Sequence, residues 1–201
     1  MEGMALFYKI CVIKKSVIYC YLSLSSIRSV DMNINEKKDQ DYYKLVKDIL
    51  DNEEFQSLKN VAHHGLNRYD HCLRVSYYSY KITKLLSLSP DEVARAALLH
   101  DFFFENENTY SNRKERFNVL YSHPQFALDN AKKYFDLTKK QEDIILSHMF
   151  PICKTVPKYM ESWIVDVVDD LVALYEKCYS VRYQFSAAAT FLICLLVNFG
   201  K

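Results

Sequence analysis

The stretch Ala96-Ala97-Leu98-Leu99-His100-Asp101 runs apolar for four residues and then stops on an imidazole beside a carboxylate. Small and aliphatic residues in succession suit the inside of a helical bundle, so the doublet falls where an interior helix ends. A carboxylate taken out of water is costly unless it is paired, hydrogen-bonded or bound to a cation, and one metal ion would satisfy both side chains. Alone, such a doublet also closes many helices that face water. Its meaning therefore rests on whether the rest of the chain supplies further ligands.

Upstream, Ser89-Pro90-Asp91-Glu92 has the form of a helix start, with Ser at the N-cap, Pro first in the helix and Glu three residues after the cap. Val93, Ala97 and His100 then lie at i, i+4 and i+7, which places His100 on a buried stripe. Further upstream, His63-His64-Gly65-Leu66-Asn67-Arg68-Tyr69-Asp70-His71 reads as a turn at Gly65 running into a helix capped near Asn67, with His63 and His64 in a solvated turn. On that helix His71, Val75, Tyr78, Ile82 and Leu85 share one stripe, so His71 is expected to point inward. Residues 33–50 and 55–61 read as two scaffold helices.

Downstream, residues 102–116 alternate aromatics with polar and charged residues and read as a loop with helical turns, while Phe102 to Phe104 suit the core. His123-Pro124 is expected to open another helix, with Pro at its first position. Thr138-Lys139-Lys140-Gln141 has the pattern of a capping box, and its helix carries Ile144, Ile145 and His148 before Pro151 stops it. A long helix over residues 159–179 carries Asp166, Asp169 and Asp170, all off the centre of its apolar face, so periodicity does not name the inward one. A last helix, 182–199, contains an apolar stretch too short to span a bilayer and suited to docking or to a homo-oligomer contact.

The 201 residues fit one domain, and only three Gly and four Pro predict long helices with short connections: an all-α, single-domain bundle. Lys plus Arg is 26 against 25 for Asp plus Glu, giving a charge of +1 and no electrostatic footprint for nucleic acid. An anionic substrate must then be held by local groups. Six cysteines without a C-x-x-C pair point to a reducing cytoplasm. Lys9, Lys14 and Lys15 interrupt the apolar residues 5–24, which disfavours a membrane span. Residues 1–31 are expected to be an extension, with Met32 a candidate start and 32–201 the helical domain.

Collected in order, the interior or helix-end candidates are His71, His100, Asp101, His123, His148 and an aspartate of the 159–179 helix. Nitrogen and carboxylate donors together suit Zn, Fe, Mn or Co rather than Ca. Six ligands with one bridging carboxylate suffice for two ions about 3.5–4 Å apart, an arrangement that binds a phosphoryl group and generates hydroxide at neutral pH.

This pattern resembles the HD-domain superfamily of metal-dependent phosphohydrolases over residues 43–179. Arg68-Tyr69-Asp70-His71-Cys72-Leu73-Arg74-Val75 matches the family's first histidine helix, Ala97-Leu98-Leu99-His100-Asp101 its namesake doublet, and Val168-Asp169-Asp170-Leu171 its closing aspartate. The resemblance implies an HD-type bundle with His71, His100, Asp101 and Asp169 as ligands of a first site. It also implies that His123 and His148 are the extra histidines of two-metal members, with Asp101 as the bridge. Phe102, Phe103 and Phe104 replace the small residue, Gly and Lys that often follow the doublet, so a substrate-contacting lysine is missing there. Met149-Phe150-Pro151 stands where cyclic-dinucleotide phosphodiesterases carry Gly-Tyr-Pro, which disfavours cleavage of cyclic di-GMP. The chain looks more like small bacterial two-metal members that act on nucleotides or similar phosphorylated metabolites. Phosphate contacts would come from Arg68, Lys81, Arg113, Lys114 or Lys158, with Arg68 first because it lies one turn before His71. The same ligand set also fits an HD-fold di-iron oxygenase, and the Phe residues after Asp101 favour a catalytically silent nucleotide-binding module.

Overall fold

The computed structural model describes residues 39–63, 66–105 and 112–199, the stretch 182–199 as helix backbone. The expected division at residue 31, the turn apex at His64-Gly65, residues 106–111 and the side chains of the expected C-terminal contact lie outside the described residues. Seven helices are described: α1 (Gln40–Leu50), α2 (Glu53–Ser57), α3 (Arg68–Leu85), α4 (Pro90–Leu99), α5 (Arg113–Tyr134), α6 (Lys139–Ser147) and α7 (Met160–Phe199). A short 3₁₀ turn, Leu58–Asn60, leads into strands β1 (Ala62–His63) and β2 (Leu66–Asn67), paired antiparallel with His63 opposite Leu66. The class is all-α, as composition and periodicity predict.

Side-chain caps set the starts of most helices. Asn52 accepts from Phe55 N at 2.9 Å, Asn67 from Asp70 N at 2.8 Å and Asn112 from Lys114 N at 2.9 Å. Thr138 and Gln141 form the predicted reciprocal capping box. Ser89 sits at the N-cap of α4 but makes no cap bond, because its hydroxyl accepts from Lys140 Nζ at 2.9 Å instead.

Helix α3 packs along α4 and against α7, while α4 also meets α1 and α6. The predicted stripe on α3 holds only at its start: Val75 is buried, whereas Leu85 is 76% exposed. Further along, the inward residues are Ser76, Ser79, Tyr80 and Thr83, and Ser76 Oγ donates to Ala94 O at 2.6 Å. Small hydroxyl side chains let the two backbones approach closely, and those of Ser76 and Thr83 satisfy themselves on main-chain carbonyls. Arg95 pins α4 to α1 through a two-pronged pair with Asp48 at 2.6 and 2.8 Å. Phe55, Phe102, Leu98, Leu99, Ile144 and Ile164 are fully buried, each worth roughly 1.5–3 kcal/mol.

Two expected boundaries are corrected. Helix α5 begins at Arg113, not at His123-Pro124, so Pro124 lies inside it and Arg113–Arg116 are helical rather than loop. Proline cannot donate to the carbonyl four residues back. The freed Leu120 carbonyl is instead approached by Cys153 Sγ at 4.0 Å, and the same thiol donates to Tyr121 O at 3.2 Å. Likewise, the expected helices 159–179 and 182–199 form one continuous α7, since no Gly or Pro separates them. Among the described residues no helix is long and apolar enough to cross a membrane.

Candidate metal centre

Five elements converge on the predicted ligands. His71 lies in the first turns of α3, His123 in the middle of α5, and Asp169 on the inward face of α7. His100 and His148 are the C-caps of α4 and α6, and Asp101 follows α4 directly. The last carbonyls of a helix have no partner within it. At α4 and α6 they accept from the cap histidines, His100 Nδ1 donating to Ala97 O and His148 Nδ1 to Ile145 O, both at 2.7 Å. Each bond fixes the tautomer and leaves Nε2 as a lone pair aimed into the centre.

His71 Nε2 lies 2.9 Å from Asp169 Oδ1, and His100 Nε2 lies 3.5 Å from the same oxygen. On the other side, His123 Nε2 and His148 Nε2 are 2.9 Å apart and stand 3.3 and 3.5 Å from Asp101 Oδ1. Asp101 Oδ2 faces His63 Nε2 at 3.7 Å and Arg68 Nε at 3.9 Å. Three ligand triads have their donor atoms within 4.8 Å of one another: His71-His100-Asp169, His100-Asp101-His148 and His63-His71-Asp101. All the predicted ligands, His71, His100, Asp101, His123, His148 and Asp169, are therefore brought together.

Whether these residues fit a cation is tested by their unmet bonds. His100 Nε2 and Asp101 Oδ1, both facing the centre, are buried without a hydrogen-bond partner. Such orphans cost about 1–3 kcal/mol each. Imidazole nitrogens and carboxylate oxygens that converge this closely are the donor set a divalent transition metal takes. The residues fit the group.

The electrostatics divide the histidines. Burial raises the carboxyl pKa of Asp101, but the surrounding histidines, His100 and His123 foremost, hold it well below the usual carboxylate range. Burial is outweighed at Asp169 in the same way, chiefly by His100 and His71. His123 is pushed down to about 4 by burial and stands neutral, ready to ligate. Burial also opposes charge on His71, yet Asp169 and Glu176 hold it up to about 10.

Two groups were not named as ligands or supports from the sequence. Glu176 is fully buried, with Oε2 2.9 Å from His71 Nδ1 and Oε1 accepting from Arg74 Nη1 at 2.7 Å. Its signal was present, since residue 176 is two turns beyond Asp169 on one face of the helix. His63 was expected in a solvated turn, but the β1–β2 hairpin, closed by Arg68 N donating to Val61 O at 2.9 Å, turns its side chain toward Asp101 with 11% exposed. Asp166 accepts from Phe150 N at 3.0 Å and holds the turn after His148, whereas Asp170 is exposed.

The expected phosphate contacts fare differently. Arg68 is 1% exposed, and its two Nη atoms donate to the carbonyls of Phe103 and Glu105, leaving only Nε toward Asp101. Lys81 pairs with Asp39 and lies ten residues beyond His71, roughly 15 Å along α3. Lys158 pairs with Asp143 at 3.8 Å. Arg113 and Lys114 are exposed at the start of α5, again roughly 15 Å along the helix from His123.

A model of the HD domain family matches residues 68–174, which include all six predicted ligands. The chain belongs to the HD-domain family. That family consists mostly of metal-dependent hydrolases, phosphohydrolases in general. Neither the curated proteins nor the solved structures compared with the chain gave a match.

Proposed function

We propose that this chain is a cytoplasmic, metal-dependent phosphohydrolase that cleaves a phosphate ester or phosphoanhydride of a small metabolite, with a nucleotide as the expected class. The observation that carries this reading is the placement of Asp101: one carboxylate oxygen faces His123 and His148, the other faces His63. His71, His100 and Asp169 would hold one ion, His123 and His148 a second, and Asp101 would serve both. Divalent ions there would supply Lewis acidity to phosphoryl oxygens and acidify water enough for attack at neutral pH.

The chain's own residues do the rest. The ligand side chains are themselves nearly fully buried and Phe103 covers His123, which excludes bulk water and strengthens every charge interaction within. Arg68 fixes residues 103–105 rather than spending its guanidinium on substrate, so phosphate affinity rests on the ion sites. His63 has the most exposed side chain among the clustered histidines, at 11%, and is the choice for handing a proton from Nε2 to the leaving oxygen.

Elemental analysis of the purified protein, with a panel of phosphorylated metabolites, tests the reading. The expected result is a bound transition metal and phosphate release that His100→Ala and Asp101→Ala both abolish. Unchanged metal content and turnover in those variants would sink it. Bound iron with substrate oxidation and no phosphate release would overturn it in favour of an oxygenase.

A further inference from the structure

We propose that Phe103, held by Arg68, is the positioning residue for the His123 side of the centre, its ring face taking the place of an orienting hydrogen bond. The inference rests on the metal-site reading above. A metal-ligating histidine ordinarily has its second ring nitrogen tied to a carboxylate or carbonyl, which fixes both tautomer and aim. Three of the helix-borne histidines here follow that rule: His71 on Glu176, His100 on Ala97 O and His148 on Ile145 O. His123 does not, because its Nδ1 is buried with no partner.

What His123 has instead is a flat neighbour. The Phe103 ring stacks on the imidazole with centroids 4.9 Å apart and planes 17° from parallel, and Phe103 is 1% exposed. The Arg68 guanidinium carbon lies 3.6 Å from the centroid of the same phenyl ring, a cation–π contact inside a dry environment. Arg68 Nη1 also donates to the Phe103 carbonyl, so a single side chain holds both ring and backbone. The preceding carbonyl, Phe102 O, accepts from Asn130 Nδ2 at 3.0 Å. Asn130 lies seven residues beyond His123 on α5, so this bond locks the stacking segment to the helix that carries the histidine. The Phe run after the doublet, where many HD hydrolases have small residues and a lysine, thereby gains a use in this chain.

The test separates a flat face from mere apolar volume. Phe103→Leu keeps most of the volume and removes the face; Phe103→Tyr keeps the face; His123→Ala marks complete loss of the ligand. Equilibrium titration with Mn(II) and Zn(II) counts ions, and NMR of the His123 imidazole follows the ring in chelator-treated protein. In Phe103→Leu we expect one ion to bind about 10- to 100-fold more weakly, as for loss of a supporting group, with the other unchanged. The His123 resonances should move downfield as phenyl shielding is lost, and Phe103→Tyr should restore both readouts. Unchanged affinities with unmoved His123 resonances would overturn the inference while leaving the metal reading intact. Equal weakening of both ions with a lowered melting temperature would also overturn it, since that is general loosening. Wild-type protein that binds neither ion, with the resonance shift still present, would uphold the stack and sink the metal reading.

Discussion

Glu176 shows how much one buried side chain decides. It accepts from Arg74 Nη1 and holds His71 Nδ1, with no exposed surface of its own. Glu176→Gln keeps an acceptor but loses the charge, and metal affinity measured by competition with a chelating dye should fall about 10- to 100-fold. Glu176→Leu removes the buried carboxylate that both His71 and Arg74 bond, so denaturant melts should show a loss of about 3–5 kcal/mol. The three aspartates of α7 divide by orientation. Asp169→Asn should abolish metal binding, whereas exposed Asp170→Asn should leave it intact. Asp166 has its carboxyl pushed up to about 7, by burial first and Asp170 next, against an ordinary value of 3.8. Because the folded state holds this proton where the unfolded chain has lost it, the contribution of Asp166 to stability declines as pH rises from about 4 to about 7. Thermal melts of chelator-treated protein should therefore show Asp166→Asn gaining on the wild type across that window; a constant difference would contradict the assignment.

At the scale of elements, helix ends carry two of the candidate ligands. His100 and His148 each close a helix by taking a terminal carbonyl, which is why both imidazoles point inward from the ends of α4 and α6. The start of α6 is set by the Thr138 capping box, and Thr138→Ala should cost about 1 kcal/mol in a denaturant melt. Close approach of α3 to α4 depends on Ser76, fully buried against Ala94 O, so Ser76→Leu should overpack the contact and cost about 1–3 kcal/mol or more. These elements were largely legible from periodicity and capping residues. The start of α5 was not, because Pro124 imitates a first helical position while Cys153 and the packing of α5 on α6 let the helix run through it.

For the whole molecule, the centre joins α3, α4, α5, α6 and α7, so an ion bound there stabilises the fold by linkage. With free ion 100-fold above the dissociation constant the gain is about 2.7 kcal/mol, or roughly 5–10 °C in melting temperature for a domain of this size. Differential scanning fluorimetry with and without EDTA should show that shift for the wild type and lose it in Asp101→Ala. A wild-type melt insensitive to chelator and to added Mn(II) or Zn(II) would contradict a metal-linked core.

The sequence by itself determined the helical class, because few Gly and Pro and an apolar period near 3.6 leave no other regular structure for most of the chain. It also determined the inward aim of His100, which continues an apolar stripe, the aim of His71 through its one buried stripe neighbour Val75, and the HD resemblance of the six candidate ligands. Only the tertiary structure decided which partners support them. Glu176 beneath His71, Phe103 beside His123 and His63 over Asp101 each join residues that are 105, 20 and 38 positions apart. Local periodicity reports which side of its own helix a residue faces. It carries no information about what another element, packed by burial of apolar surface, brings against that side.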